Sequence, residues 1–90
     1  MSQAIVDPAE IRRFAANLKR FNADLQAGIA GLHGQLVGLG DSWRDQEHDR
    51  FRQEFETTMQ VIERFLDVSG EHIPFLLRKA ERVEEYLSQR

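Results

Sequence analysis

Cysteine is absent from these 90 residues, which excludes a disulfide scaffold and any thiolate metal site. Proline occurs only as Pro8 and Pro74, tryptophan only as Trp43 and tyrosine only as Tyr86, so each marks its place in the chain. No apolar run approaches the roughly 20 residues of a membrane-spanning helix. Nor does one sign of charge dominate: 12 Lys and Arg are interspersed with 15 Asp and Glu, a formal net charge of -3. Such a surface has no basic field for nucleic acid phosphates or an anionic membrane, and neither partner is expected. The opening Met1 to Asp7 lacks the positive start and continuous apolar core of a cleavable signal peptide. The expectation is a cytoplasmic chain, secreted only by a route that reads a folded protein and cleaves no signal.

What the chain does have is helical periodicity. Ile11, Phe14, Leu18, Phe21, Leu25, Ile29, Leu32, Leu36 and Leu39 recur at steps of three and four, a period that a strand cannot use. After one obvious break at Gly40-Asp41-Ser42-Trp43-Arg44-Asp45, the theme returns in Phe51, Phe55, Met59, Ile62, Phe65, Leu66, Ile73, Leu76, Val83 and Leu87. The spacing predicts an all-α fold over residues 1–90, an antiparallel hairpin of two long helices. Helix one is expected from about Pro8 to Leu39, the turn over 40–45 and helix two over about 46–87.

Asp7 is a competent cap, Pro8 suits the first helical position, and Glu10 stands where a capping-box acid reaches back. The residues before Asp7 are expected to form a loose tail. Gly40 is placed to end helix one in a left-handed conformation, and Asp41, Ser42 and Asp45 can each cap helix two. Gly28, Gly31, Gly34 and Gly38, each costing about 1 kcal/mol relative to alanine, leave a thin surface that the phenylalanines of helix two are candidates to fill. A glycine-rich end that frays is the alternative. Pairing about the centre of the turn sets Phe51 near Leu36, Phe55 near Leu32, Ile62 near Leu25, Phe65 near Phe21 and Leu76 near Ile11. It leaves the turns after about Lys79 projecting beyond helix one. Pro74 removes one hydrogen bond and its ring meets the carbonyl of Gly70, so a kink or brief break is expected near 70–74.

Beside the seam of helix two runs a second row, Val61, Val68 and Phe75, at strict seven-residue spacing. One partner helix cannot cover both rows, and a two-helix unit buries little apolar surface for its chain entropy. The expectation is therefore a dimer forming a four-helix bundle, with Val61, Val68 and Phe75 in the interface. A symmetric homodimer is the default, and a heterodimer with a related small helical protein is the variant.

Catalytic, cofactor and metal sites are not expected. His33, His48 and His72 fall at different heights of the hairpin, and Asp45-Gln46-Glu47-His48 lacks the matching repeat that a di-metal bundle centre requires. The interior glycines follow no strand, so they form no phosphate loop. Ser42 reads as a cap, Ser69 as a residue at the edge of the core, and Glu47-His48-Asp49 and Glu84-Glu85 as solvated helix faces.

With its length, its two amphipathic helices, a tryptophan turn and Phe51 eight residues after Trp43, the chain resembles the WXG-hundred, ESAT-like family of small bacterial type VII secretion proteins. Here Trp43-Arg44-Asp45 has Asp45 where the family has glycine, and Glu47 where a small residue is usual. The family also commonly places an acid four residues after a tyrosine beyond helix two, where this chain has Tyr86 and then Arg90. The resemblance implies a non-enzymatic substrate or adaptor, read as a dimer by an export ATPase. In such a dimer Trp43, Asp45 and Phe51 of the turn would lie beside the Tyr86 and Leu87 docking segment of the partner. Trp43 can equally be an aromatic lid on Phe51 or Leu39, and Tyr86 and Leu87 can equally be packing residues. An intracellular coiled-coil interaction module is the competing reading.

Overall fold

Residues 6–89 are described in the computed structural model; residues 1–5, most of the expected tail, and Arg90 lie outside the described residues. Two helices, α1 (Pro8–Leu39) and α2 (Gln46–Ser88), form an antiparallel hairpin measuring 69 × 18 × 16 Å. Its radius of gyration is 20.3 Å, against about 12 Å for a compact domain of this length. The molecule is a rod two helices wide.

The side chains turned inward follow a seven-residue repeat. On α1 they are Ile11, Ala15, Leu18, Asn22, Leu25, Ile29 and Leu36, and on α2 His48, Arg52, Phe55, Met59, Ile62, Leu66, Ser69, Ile73, Leu76, Ala80 and Val83, all buried or half-buried. Steps alternating between three and four keep a seam facing one neighbour along a long helix, as in a coiled coil. The α2 repeat passes through Pro74 without a slip, and α2 is uninterrupted from Gln46 to Ser88. Of the kink or brief break expected near 70–74, the break does not occur. Pro74 lies on the exposed side, while Ser69, Ile73, Leu76 and Ala80 hold the same face to α1 on both sides of it. The lost hydrogen bond is local, and packing along the seam outweighs it.

At the start of α1 the Asp7 carboxylate accepts from the Ala9 amide at 2.9 Å, and the Glu10 amide donates to the Asp7 carbonyl at 3.1 Å. Asp7 thus spends its side chain two residues on, and the Glu10 carboxylate makes no hydrogen bond among the described residues, so the cap is a plain aspartate cap rather than a capping box. At the other end Gly40 is right-handed (φ -60, ψ -17), contrary to the left-handed ending expected. The last carbonyls are met by tightening the chain: Gly40, Asp41 and Ser42 donate to Val37, Gly38 and Leu39 at 3.1–3.2 Å, and Trp43 donates to Leu39 at 2.8 Å. With those groups satisfied no left-handed residue is needed.

Phe21 and Phe65 meet as expected, edge to face with centroids 6.5 Å apart. Elsewhere the seam departs from apolar-on-apolar pairing. Leu32, expected against Phe55, is 53% exposed; at that level His33 reaches across to Glu56 at 3.5 Å, and Arg52 pairs with the same Glu56 along α2 at 3.4 Å. Phe51, expected beside Leu36, is likewise nearly half exposed. The open end is covered rather than projecting: Ala80 is fully buried, and Arg12 pairs with Glu84 at 2.6 Å. Asp45 is extended where α2 begins, and at the open end the residue facing Arg12 sits farther along α2 than symmetric pairing about the turn sets it.

Candidate functional site

The turn is built from aromatic rings on a capped helix. Asp45 is extended, and its carboxylate accepts from the His48 amide at 3.0 Å, which fixes the first turn of α2. Arg44 Nε donates to the Gly40 carbonyl at 3.1 Å and ties the turn back to α1. Between these anchors the half-buried Trp43 ring rests on His48 (centroids 4.9 Å apart) and on Phe51 (6.4 Å), and Phe51 continues to Phe55 (6.1 Å). Trp43 is thus partly covered and partly open to solvent.

His48 is the residue the sequence reading placed wrongly. It was expected on a solvated face with Glu47 and Asp49, yet only 6% of it is exposed. The signal lay in the spacing: His48 is seven residues before Phe55, and His48, Phe55, Ile62, Ser69, Leu76 and Val83 form one inward ladder. Ser69 is also more than an edge residue, being buried and hydrogen-bonded to Asn22 in both directions.

The C-terminal candidates lie at the opposite end of the rod. Tyr86 is 71% exposed and Leu87 is exposed too, separated from Trp43 by the length of α2, about 65 Å at the rise of an α-helix. Within one chain the two groups never meet. Near this end the Arg12 guanidinium donates to the Glu84 carboxylate from Nε at 2.9 Å and Nη2 at 2.6 Å. That hydrogen bond, with the attraction of unlike charges, holds the Glu84 carboxyl below the usual carboxylate range and raises Arg12.

Between the two ends runs an apolar face. Phe21 and Phe65 bridge the helices on it; Phe14 lies one heptad from Phe21, and Val68 and Phe75 follow Phe65 along the same side of α2. All five are 47–57% exposed, and Val61 is more exposed still. The glycines of α1 are not filled by the phenylalanines of α2 as expected: a side chain added at Gly28, Gly31, Gly34 or Gly38 would meet nothing within 4 Å. Helix-to-helix contact on α1 falls on Leu25, Ile29 and Leu36 instead. A groove on the other side of the hairpin is lined by Lys19, Gln26, His33, Glu56, Glu63 and Asp67 around Ile29 and Leu66, a polar rim over a narrow apolar floor. Among the described residues no group of three or more His, Cys, Asp or Glu is placed to hold a metal ion, and no helix is long and apolar enough to cross a membrane.

The family model described as proteins of 100 residues with WXG matches residues 3–86. Crystal structures of the secreted protein EsxB from Bacillus anthracis str. Sterne have the same fold. The selenomethionine-labelled form matches with a TM-score of 0.80 at 24% identity, over 96% of this chain and 98% of that one. The wild-type form in space group P21 matches with a TM-score of 0.79 at 25% identity, over 93% and 97%. No curated protein matches the sequence.

Proposed function

Because this chain belongs to the family of proteins of 100 residues with WXG, we propose that it is a non-enzymatic hairpin that pairs into a four-helix bundle and serves as substrate or adaptor of a type VII secretion system. The pairing rests on one observation. Phe14, Phe21, Phe65, Val68 and Phe75 stand half exposed on one face, while the buried apolar residues among those described are only Ala15, Leu36 and Ala80. A contiguous apolar face of that kind marks an interface, and a second copy is the occupant that the default symmetry of single-chain oligomers supplies. The open glycines suit such a pairing. Gly28 is six residues from Asn22 toward the turn, and Phe75 is six residues from Ser69 toward the open end. A two-fold axis through the Asn22–Ser69 level brings each Phe75 to the height of the partner's Gly28, where nothing in the chain itself occupies the space.

The same arrangement gives Trp43 its role. Antiparallel pairing lays the open part of Trp43, with Asp45 and Phe51, beside the partner's Tyr86 and Leu87, groups that one chain holds at opposite ends. That composite surface is what an export ATPase would read, and the protein leaves the cytoplasm folded. EsxB is a secreted protein, which supports the reading.

Light scattering during size-exclusion chromatography tests the pairing. Twice the 10.5 kDa chain mass is expected; a single-chain mass would point instead to a related small helical partner, or to an intracellular interaction module. Secretion assays on Trp43→Ala test the recognition. Export is expected to fall more than folding stability, and equal losses would make Trp43 a packing residue only.

A further inference from the structure

His48 is enclosed without a partner for its ring. The Nε2 atom is shielded from solvent and has no hydrogen bond among the described residues. The imidazole rests on Trp43, centroids 4.9 Å apart, and its Cε1 lies 3.7 Å from where a Gly40 Cβ would stand. The charged groups near it are engaged elsewhere or exposed. The Asp45 carboxylate takes the backbone amide of His48, Arg44 donates to the Gly40 carbonyl, and Arg52 leans on Glu56. Asp41, Glu47, Asp49 and Arg50 are exposed. From Gly28 to Leu39, the stretch of α1 leading to the turn has His33 as its only titratable side chain, and His33 faces Glu56.

A neutral imidazole can leave Nε2 as a bare acceptor, whereas a protonated one carries N–H groups on both nitrogens. A buried charged donor without an acceptor costs far more than an idle lone pair. His48 is also the third residue of α2, where the positive end of the helix dipole opposes a second positive charge. Its proton can be satisfied by water only if the ring leaves its niche. We propose that protonation of His48 opens the Trp43 turn, so that mild acid uncovers the indole face that neutral pH keeps packed. This concerns the turn given a recognition role above and rests on that reading only for its biological use.

Trp43 is the only tryptophan, so its emission reports the turn directly. The experiment titrates the full chain from about pH 8 to about pH 5, the range in which histidine changes charge, following the emission maximum and the helical circular dichroism. The expected result is a reversible shift to longer wavelength with helix content unchanged, kept in His33→Gln with His72→Gln and lost in His48→Gln. His48→Phe, which fills the niche and cannot be protonated, should also abolish the shift and guards against a poorly folded glutamine variant. An unmoved emission maximum in the parent protein, even with quenching, overturns the proposal. So does an equal shift in both His48 variants, or a loss of helix over the same range. Failure of the recognition reading shows instead in the export of Trp43→Ala and leaves the emission result untouched.

Discussion

The Asn22 side-chain amide donates to Ser69 Oγ at 2.8 Å, and the Ser69 hydroxyl donates back to Asn22 Oδ1 at 3.0 Å, making a closed polar rung midway along the seam. Ser69 is 4% exposed, so its hydroxyl depends on this one partner. A buried polar pair costs little when complete, and it penalises every register in which its members meet apolar side chains.

Asn22→Ala should therefore destabilise the hairpin by about 1–3 kcal/mol, the cost of leaving a buried hydroxyl unsatisfied. The double variant Asn22→Ala with Ser69→Ala should recover part of that loss. Urea denaturation of the single and double variants checks this, and a double variant no more stable than Asn22→Ala would contradict it.

Glu84 gives a pH dependence with a definite sign. Its carboxyl is held below its ordinary value in the folded chain, first by the Arg12 hydrogen bond. The contribution is therefore fully present above the unfolded value of about 4.3 and is lost as pH falls through the lower, folded value. Both side chains are nearly half exposed, so the effect is small and screened by salt. The melting temperature of the parent chain should exceed that of Glu84→Gln slightly at neutral pH and low salt. That difference should vanish in strong acid or high salt.

Pairing through the apolar face predicts weaker association from changes at Val68 with Phe75 and at Gly28. Val68→Lys with Phe75→Lys should convert the dimer to single chains. Gly28→Leu meets open space within the hairpin and improves helix propensity by up to about 1 kcal/mol. It should therefore leave the single chain helical while weakening association. Light scattering across a dilution series distinguishes them from a folding defect, which would lower helix content as well.

At Pro74, Pro74→Ala restores the hydrogen bond to the Gly70 carbonyl and should stabilise α2 by up to about 3 kcal/mol. Thermal denaturation reads the gain. An unchanged or lowered midpoint would mean that the proline ring itself makes a stabilising contact in the assembled protein.

The all-α hairpin was readable because its signals are periodic and redundant. Ile11, Leu18 and Leu25 on one helix and Ile62, Leu66 and Ile73 on the other each repeat the same phase. One of three competent caps, Asp45, is the cap observed. What escaped the reading depended on competition between neighbours. Pro74 predicts a break if its local cost is weighed alone, but the residues flanking it pack on α1 in one continuous frame. Gly40 permits a left-handed ending without requiring it, and the carbonyls of α1 found donors by another route. His48 carries a polar label on an inward position, and its residue type outweighed its place in the ladder. The register at the open end, where Arg12 meets Glu84, is not encoded by apolar spacing.

The 18 × 16 Å cross-section of this 69 Å rod bears on transport and on measurement alike. An opening only slightly wider than two packed helices passes a single hairpin end-on without melting a turn, with either the aromatic tip or the C-terminal end leading. A bundle of two hairpins needs a wider gate or must separate first. In solution the same slenderness raises friction for a given mass, so a lone chain travels through a sizing column like a larger sphere and only an absolute mass distinguishes it from a pair.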